Sequence, residues 1–433
     1  MNIILITIDA LRADHVGWLG YGRDTTPRLD EIASESTIYE TAIAQSSHTR
    51  ESMPSLFYSA YPRELGTVGL VPDDRPTLAT ELSDAGFTTA GFHSNPYLSR
   101  AYEFDRGFDS FDDSLPLARN RVITLLHRVL NYVRLQPYKR ANDLTDQGLK
   151  WFDNTDGQRF LWLHYMDPHG PYQPPAEYQQ LFRENTVGKR EAKRLWRRTV
   201  DEPQTLDRSD RDQLVDLYDA EIRYLDEHVS RFFDGLAKRD LLNDTFIIIA
   251  ADHGDSFGEH GIYGHPRCLY ETLIHVPLLV RPPGGADGIR IKSPVENIDI
   301  APTLLEGAGR SSPSSFSGSP LPTDDADNSG LAFAHARGEN DDTGLNRYAV
   351  RTAKNKLHLQ IDKDGVTHSR ELYDLTDNGS ETVPVENDRV EIRERLERVL
   401  SMHLKSIDRA DGCSDEPVDD VVQDRLEMLG YRE

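Results

Sequence analysis

Apolar and polar positions follow two different periods along most of the chain. Short β-branched runs such as "IILITI", "FTTAGF", "RFLWLHYM" and "TFIIIAA" predict buried strands. Amphipathic stretches lie between them, and the longest, "DQLVDLYDAEIRYLDEHVSRFFDGLAKR", repeats apolar residues every three or four positions, as a helix does. Because strands and helices alternate, we predict an α/β fold in which a mostly parallel central sheet has helices on both faces.

The pattern changes near residue 308. The stretch "GAGRSSPSSFSGSPLPTDDADNSG" is rich in Gly, Ser and Pro and predicts a long loop. Beyond it, short alternating runs around a "DKDG" turn predict antiparallel strands, and "VEIRERLERVLSMHLKSI" predicts an amphipathic helix. We therefore predict a larger domain over residues 1–340 and a small C-terminal α+β domain over residues 345–433.

Polar side chains follow four of the predicted strands. In an open parallel sheet, ligands bind outside the carboxyl ends of the strands. Each such residue taken alone fits a solvated strand end, but four strands ending in this way indicate a binding site. The residues concerned are Asp9, His93, Asn95, Asp167, His169, Asp252 and His253.

Three of these residues suit a metal ion. Asp9, Asp252 and His253 supply two carboxylates and an imidazole, a set that fits Mg²⁺, Mn²⁺, Ca²⁺ or Zn²⁺. Such an ion acts as a Lewis acid on a phosphoryl or sulfuryl oxygen and lowers the pKa of a bound hydroxyl. The set therefore predicts one divalent cofactor and a hydroxyl nucleophile beside it.

Seven segments spread over nearly the whole chain match, in order, the motifs of one family. They are "NIILITIDALRADHVGWLGYGRDTTPRLDEIA", "SLFYSAYPRELG", "MDPHGPY", "ADHGDSFGEHGIYGH", "LYETLIHVPLLVRPPG", "DIAPTLLEGAG" and "RELYDLTDNGSE". On these segments the chain resembles the sulfatase branch of the alkaline phosphatase superfamily. The resemblance implies an alkaline-phosphatase-like fold and a metal-dependent hydrolase acting on sulfate or phosphate esters of an anionic small molecule or glycan.

The resemblance also implies the nucleophile, which lies six residues before the Ser that opens the "SLFYSAYP" segment. Counting back from Ser55 identifies Thr49. Sulfatases that use formylglycine carry Cys or Ser there, with Pro two residues on and Arg four residues on, where this chain has Glu51 and Met53. Formylglycine is therefore not expected, and the site resembles the Thr-using phosphodiesterase and phosphotransferase members.

Other readings of this segment remain open. A shifted register would make Ser52 the nucleophile but would misplace "AYP" by three residues, and Ser47 is a weaker candidate still. Thr49 would also serve as the N-cap of a helix that begins at residue 50. In that position its hydroxyl would lie at the positive end of the helix dipole.

Further site residues follow from the resemblance. His169 and His265 match positions that hold substrate oxygens or protonate the leaving group, although both also fit solvent-facing loops. His93 and Asn95 fall, more loosely, near a substrate-contact stretch. Arg12 would bind an oxyanion or pair with a nearby acid.

The number of ligands at the metal site follows from a departure from the family pattern, and a second metal stays open. Ala10 stands where calcium sulfatases usually place a second acid after the first. The resemblance then implies a site with fewer ligands, similar to that of Mn²⁺ or Zn²⁺ members.

Composition excludes some classes of protein. The net charge of −24, from 73 acidic and 49 basic residues, argues against nucleic-acid binding. An acid-rich, Lys-poor surface predicts a protein that stays soluble in high salt, from a halophilic archaeon. With no run of 18 apolar residues and no signal peptide, we expect a cytoplasmic location. Cys268 and Cys413 form no disulfide framework.

Two stretches depart from the acidic composition. Residues 116–142 contain neither Asp nor Glu, and "GKREAKRLWRR" occupies residues 188–198. They fit ordinary helices with solvated Arg side chains. They also fit surfaces that gather an anionic substrate or contact an anionic lipid surface. The sequence predicts no oligomeric state.

The function expected from these residues is ester hydrolysis with Thr49 as nucleophile. One alternative is transfer of a phosphoglycerol or other phospho-group, or phosphodiester cleavage, on glycans. A second is a non-catalytic relative that binds a charged saccharide, since Glu51 and Met53 depart from the family pattern.

Overall fold

The computed structural model describes residues 1–66, 75–114, 138–324, 330–338, 344–376, 381–385 and 389–407. A nine-stranded sheet forms its centre, in the order β10-β2-β9-β6-β1-β5-β3-β4, with β11 also paired to β2. Its strands are β1 Asn2–Ile8, β2 Thr37–Ile43, β3 Thr88–Phe92, β4 Ser110–Asp112, β5 Arg159–Tyr165, β6 Thr245–Ala251, β9 His275–Arg281, β10 Arg290–Ile291 and β11 Val295–Glu296. Two short strands, β7 Ser256–Phe257 and β8 Tyr263–Gly264, pair as a hairpin outside this sheet.

The central sheet is mostly parallel, as predicted. Only β9 among these strands runs antiparallel to its neighbours, β2 and β6. All seven residues of β1 are buried, because β5 and β6 flank it and helices cover both faces. This explains why "NIILITI" is apolar almost throughout instead of alternating.

Helices fill the connections between strands. The long amphipathic stretch forms α7, whose N-cap Asp207 and third residue Asp210 exchange side-chain hydrogen bonds with each other's backbone N–H. The helices among the described residues are α1 Pro27–Ala33, α2 Thr49–Tyr58, α3 Leu78–Asp84, α4 Ala141–Asp153, α5 Ala176–Gln179, α6 Lys189–Asp201, α7 Arg208–Ala237, α8 Glu271–Ile274, α9 Ile300–Gly307 and α10 Val390–Ser406.

A second, antiparallel sheet contains β12 Ala332–Ala336, β13 Asn346–Arg351, β14 Asn355–Ile361 and β15 Thr367–Asp374. Leu396 and Leu400 of α10 pack into its core. Strand β12 of this sheet lies before residue 340, within the range predicted for the larger domain, and pairs with β13.

Two further expectations concern single features. Within the described ranges, no helix combines the length and the apolar composition needed to cross a bilayer. Cys268 is partly buried and forms no disulfide within the described residues, and Cys413 lies outside them.

Candidate active site

Adjacent strand ends bring the predicted metal ligands together. Strands β1 and β6 are parallel neighbours in which Ile8 pairs with Ala251, so Asp9 and Asp252 leave the sheet side by side. His253 follows Asp252 directly. One ligand atom from each of these three buried residues lies within 4.8 Å of the others. This geometry fits a single ion.

One oxygen of each carboxylate accepts hydrogen bonds from other groups of the protein. Oδ2 of Asp9 accepts a hydrogen bond of 2.7 Å from Nδ2 of Asn95, and Oδ1 of Asp252 accepts from the backbone N–H groups of Ala10 and His253. The other oxygens, Oδ1 of Asp9 and Oδ2 of Asp252, are buried and accept no well-formed hydrogen bond among the described residues. Buried oxygens of this kind are costly unless a cation meets them, which supports a metal ion between them.

Charge at the cluster points the same way. Burial opposes ionisation of Asp9, but His169 and His164 outweigh it and hold the pKa of Asp9 below its usual range. Burial and the charge of Asp9 both raise the pKa of Asp252. The two acids therefore compete for a proton when no cation is present, and a divalent ion would remove that competition.

His253 presents one ring nitrogen to the cluster. Its Nδ1 lies 2.8 Å from the carbonyl oxygen of Gly254 and donates to it, which leaves Nε2 for a ligand. Nε2 lies 3.7 Å from Oδ1 of Asp9 and 3.6 Å from Oδ2 of Asp252. Burial lowers the pKa of His253, but these two acids raise it above its usual value.

Thr49 is the first residue of α2 and is buried against the cluster. Its Oγ1 lies 3.1 Å from Nε2 of His253. The helix begins one residue earlier than expected, and its N-cap is His48, whose side chain accepts from the N–H of Arg50. The hydroxyl of Thr49 is thus not used as a cap, and it faces the cluster at the positive end of the helix.

Four imidazoles, one of them His253, lie close to one another at this site. The ring centroid of His265 lies 4.6 Å from that of His253, 5.0 Å from that of His169 and 5.7 Å from that of His48. His169 is fully buried and the side chain of His265 is 8% exposed, so neither lies in a solvent-facing loop. Burial lowers the pKa of His265 to about 4, although the nearby Asp255 opposes this.

Asn95 and His93 have different surroundings. Asn95 reaches Asp9 as described, and its Oδ1 also accepts from the N–H of Tyr97. The ring of His93 packs against Phe111 and Trp162, with centroids 5.1 and 5.2 Å away. The structure therefore places Asn95 in the cluster and His93 in an aromatic environment behind it.

Two other predicted polar residues form ion pairs within the protein. The guanidinium of Arg12 contacts Asp14 at 2.7 Å and Glu259 at 2.8 Å, which is the acid-pairing alternative for this residue. Asp167 lies 3.0 Å from Nε of Arg140, while burial raises its pKa to about 7. We do not assign either residue a role toward substrate.

Sequence reasoning missed His164. Its Nε2 lies 3.2 Å from Oδ2 of Asp9, and its Nδ1 lies 2.9 Å from Oγ1 of Thr7, which accepts from Nε1 of Trp162. This series of hydrogen bonds orients the side chain of Asp9. The available signal was a pair of polar residues inside apolar strands, since Thr7 and His164 occupy paired positions of β1 and β5.

Comparison with known proteins identifies the family. A family model described as Sulfatase matches residues 1–310. The chain belongs to the sulfatase family. A second family model, described as N-sulphoglucosamine sulphohydrolase, C-terminal, matches residues 258–407. The predicted sulfatase-like ester hydrolase is thereby confirmed at the level of the family.

Individual relatives agree with this assignment. An arylsulfatase of Clostridium perfringens is 24% identical over 475 aligned residues, covering 96% of each chain. A solved structure in complex with its substrate D-glucosamine-2-N,6-O-disulfate has a TM-score of 0.73 at 18% identity, covering 96% of this chain and 99% of the other. The phosphonate monoester hydrolase of Agrobacterium radiobacter has a TM-score of 0.70 at 17% identity, covering 93% and 95%. These structural likenesses confirm the alkaline-phosphatase-like fold.

Proposed function

We propose that this sulfatase-family chain hydrolyses sulfate or phosphate esters of an anionic glycan or small molecule, with Thr49 as nucleophile. One divalent ion, held by Asp9, Asp252 and His253, is the proposed cofactor. The observation that carries the proposal is the distance of 3.1 Å between Oγ1 of Thr49 and Nε2 of His253, within a buried cluster that leaves two carboxylate oxygens unused.

The proposed chemistry has two steps. When bound, the ion supplies Lewis acidity toward the ester oxygen and the attacking hydroxyl. In the first step Oγ1 of Thr49 loses its proton and bonds to sulfur or phosphorus, the ester bond to the leaving alcohol breaks, and the alcohol oxygen takes up a proton. In the second step the oxygen of a water molecule attacks the same centre, the bond to Oγ1 breaks, one proton of the water passes to Oγ1, and sulfate or phosphate is released.

The imidazoles are assigned to proton transfer. The rings of His169 and His265 have centroids 5.0 Å apart, close enough to each other to serve one leaving oxygen. Because the pKa of His265 is about 4, this residue is neutral at pH 7 in the free protein. Binding of an anionic ester beside it raises that pKa, so we infer that it takes up a proton together with substrate.

Glu51 favours an enzyme over a non-catalytic relative. It replaces the Pro of the formylglycine pattern, yet its carboxylate accepts a hydrogen bond from Ser46 and lies 3.5 Å from Nε of Arg267. Arg267 is two residues beyond His265. Glu51 of α2 therefore pairs with the loop that carries a proposed proton-transfer residue. It does not occupy the hydroxyl of Thr49, which still faces the cluster.

A substrate panel tests the proposal. Nitrophenyl sulfate, a nitrophenyl phosphate monoester and a phosphodiester are assayed with Mn²⁺, Mg²⁺, Ca²⁺ or Zn²⁺ and with chelator. We expect metal-dependent turnover of at least one ester. Thr49→Ala should lower kcat by about 10⁴-fold, since loss of a nucleophile removes the covalent route.

Ser52→Ala is the matched control, because Ser52 lies on the same helix three residues on. It should retain kcat within about twofold. Turnover that survives in Thr49→Ala but is lost in Ser52→Ala would contradict the assignment of the nucleophile. Tight oligosaccharide binding without turnover of any ester would support the non-catalytic alternative instead.

A further inference from the structure

Helix α6 carries a group of basic residues, all exposed except the half-exposed Lys193, that form no ion pair with any described residue. Their positions fall on one side of the helix, and no ion pair or hydrogen bond of their side chains occurs within the described part of the chain. By contrast, the next basic residue of the same helix, Arg198, pairs with Asp210 at 2.8 Å. In a chain of net charge −24, unpaired cations in one place are unexpected. We call these residues the basic face: Lys189, Arg190, Lys193, Arg194 and Arg197.

The basic face is compact. At about 100° per residue, its five side chains cover an arc of about 140°, and they extend about 12 Å along the helix axis. The acid within this arc is Asp201, at the last position of the helix. The other stretch without acidic residues, 116–142, lies for the most part outside the described residues.

The inner side of α6 touches both loops that carry the proposed proton-transfer histidines. Trp196 packs so closely against Gly170, the residue after His169, that a Cβ on this glycine would lie 2.2 Å from the indole. The helix also packs against β8, which ends immediately before His265. On the helix Lys193 lies about 60° from Trp196, so the basic face begins beside these loops.

We propose that the basic face of α6 binds the outlying anionic groups of a linear polyanion whose scissile ester lies at Thr49. This inference rests on the proposed function and extends it. The substrate class would then be a chain, such as a glycan that bears several sulfate or phosphate groups, in place of a small monoanionic ester. Exposed cations at a site entrance also speed the arrival of such substrates.

The structure favours a linear polyanion over a membrane. A helix that binds a bilayer inserts its apolar side, but the apolar side of α6 is already buried against the protein through Ala192, Leu195 and Trp196. A membrane would also hold a broad anionic plane against the acidic surface of the chain, whereas a single extended chain meets only the basic face.

The test compares three proteins. The first is the wild type, the second reverses the basic face with Lys193→Glu, Arg194→Glu and Arg197→Glu, and the third makes the same charge change elsewhere with Arg310→Glu, Lys354→Glu and Lys363→Glu. The control residues are exposed and form no ion pair among the described residues. Chondroitin sulfate oligosaccharides of two, four and six sugars are the probes, and affinity is measured by calorimetry at two salt concentrations.

We expect wild-type affinity to rise with oligosaccharide length and to fall with salt. The basic-face variant should bind the six-sugar probe about tenfold more weakly, since three positive charges are reversed, and should lose most of the length dependence. The control variant should match the wild type. The ratio of kcat/KM on a polymeric ester to kcat/KM on a nitrophenyl ester should fall only in the basic-face variant.

Other results would overturn the proposal. These are equal affinity of all three proteins for the six-sugar probe, no binding of that probe by the wild type, or binding of the wild type to phosphatidylglycerol vesicles but not to the oligosaccharides. Absence of turnover of every small ester by the wild type would refute the proposed function instead, because affinity for the oligosaccharides is measured without turnover.

Discussion

Two pairs of buried carboxylates in this protein are neutralised in different ways. Glu271 and Glu381 both lie 3.0 Å from Nζ of Lys356, which is itself fully buried. Asp9 and Asp252 have no Lys or Arg within ion-pair distance in the described part of the chain. Where the chain supplies its own cation, the acids join α8 to the small sheet. Where it supplies no lysine or arginine and only imidazoles lie near the acids, we propose that a cation from solution neutralises them, which is the physical basis of the proposed metal site.

A third pair completes the comparison. Glu296 is buried beside the half-buried Asp299, and their hydrogen-bond partners are neutral: the hydroxyl of Tyr61, the amide of Gln45 and backbone N–H groups. Burial, followed by the charge of Asp299, raises the pKa of Glu296 to about 8. This pair keeps a proton where the other two have an ammonium group or, as we propose, a metal ion.

Removal of the internal ammonium group should have the largest effect. Lys356→Met leaves Glu271 and Glu381 buried without their shared partner and should lower the free energy of unfolding by about 4 kcal/mol. Urea denaturation measures this. The control Lys354→Met, at an exposed position two residues away, should change it by less than about 0.5 kcal/mol. A loss below about 1 kcal/mol in Lys356→Met would mean that the lysine does not neutralise these acids.

Metal binding should come next in size. At a free Mn²⁺ concentration about 100 times its Kd, the free energy of unfolding should rise by about 2.7 kcal/mol, and chelator should reverse the change. Asp252→Asn should abolish the effect, and Asp153→Asn, an exposed acid, should keep it. Thermal unfolding with and without the ion gives the measurement. An equal rise in Asp252→Asn would place the ion elsewhere.

The proton-holding pair should respond to pH. Because the pKa of Glu296 is about 8 in the folded protein against 4.5 ordinarily, the folded state binds more protons between these values. Stability from this group is therefore complete below about pH 4.5 and is lost as the pH rises through about 8. Glu296→Gln should remove most of this decline between pH 5 and 8.

Chemical denaturation across that pH range measures the slope. Glu306→Gln, at an exposed position, is the control and should leave the slope unchanged. The comparison of the three pairs would break down if Glu296→Gln and the wild type lost stability in parallel as the pH rose.

The smallest expected effect concerns one acid of the metal-site pair and one acid of the lysine-paired set, for which we expect stability changes of opposite sign. In metal-free protein, Asp252→Asn should raise the free energy of unfolding by about 1 kcal/mol, because it ends the repulsion with Asp9 while the side-chain oxygen still accepts from Ala10 and His253. The matched change Glu271→Gln should lower stability, since it removes an acid that Lys356 neutralises. Two changes of the same sign would show that the pairs do not differ as proposed.

Local pattern determined much of the architecture and part of the site. The alternation of apolar runs and amphipathic stretches was sufficient to predict the mostly parallel sheet, because each strand and helix is specified by its own residues. The same reasoning located Asp9, Asp252 and His253, since a polar residue directly after a parallel strand lies at the ligand-binding edge whatever its distant neighbours are.

Only the tertiary structure decided which polar groups form ion pairs or hydrogen bonds with one another inside the protein. Arg12 pairs with Glu259, which lies 247 positions away, and Thr49 turns toward His253, which lies 204 positions away. In the sequence, His164 is one polar residue in an apolar strand, and only the pairing of β5 with β1 brings it to Asp9. Such pairings form only when distant segments come together, because burial by those segments decides whether a charged group needs a partner. The sequence of one segment alone does not show which distant segment will bury it.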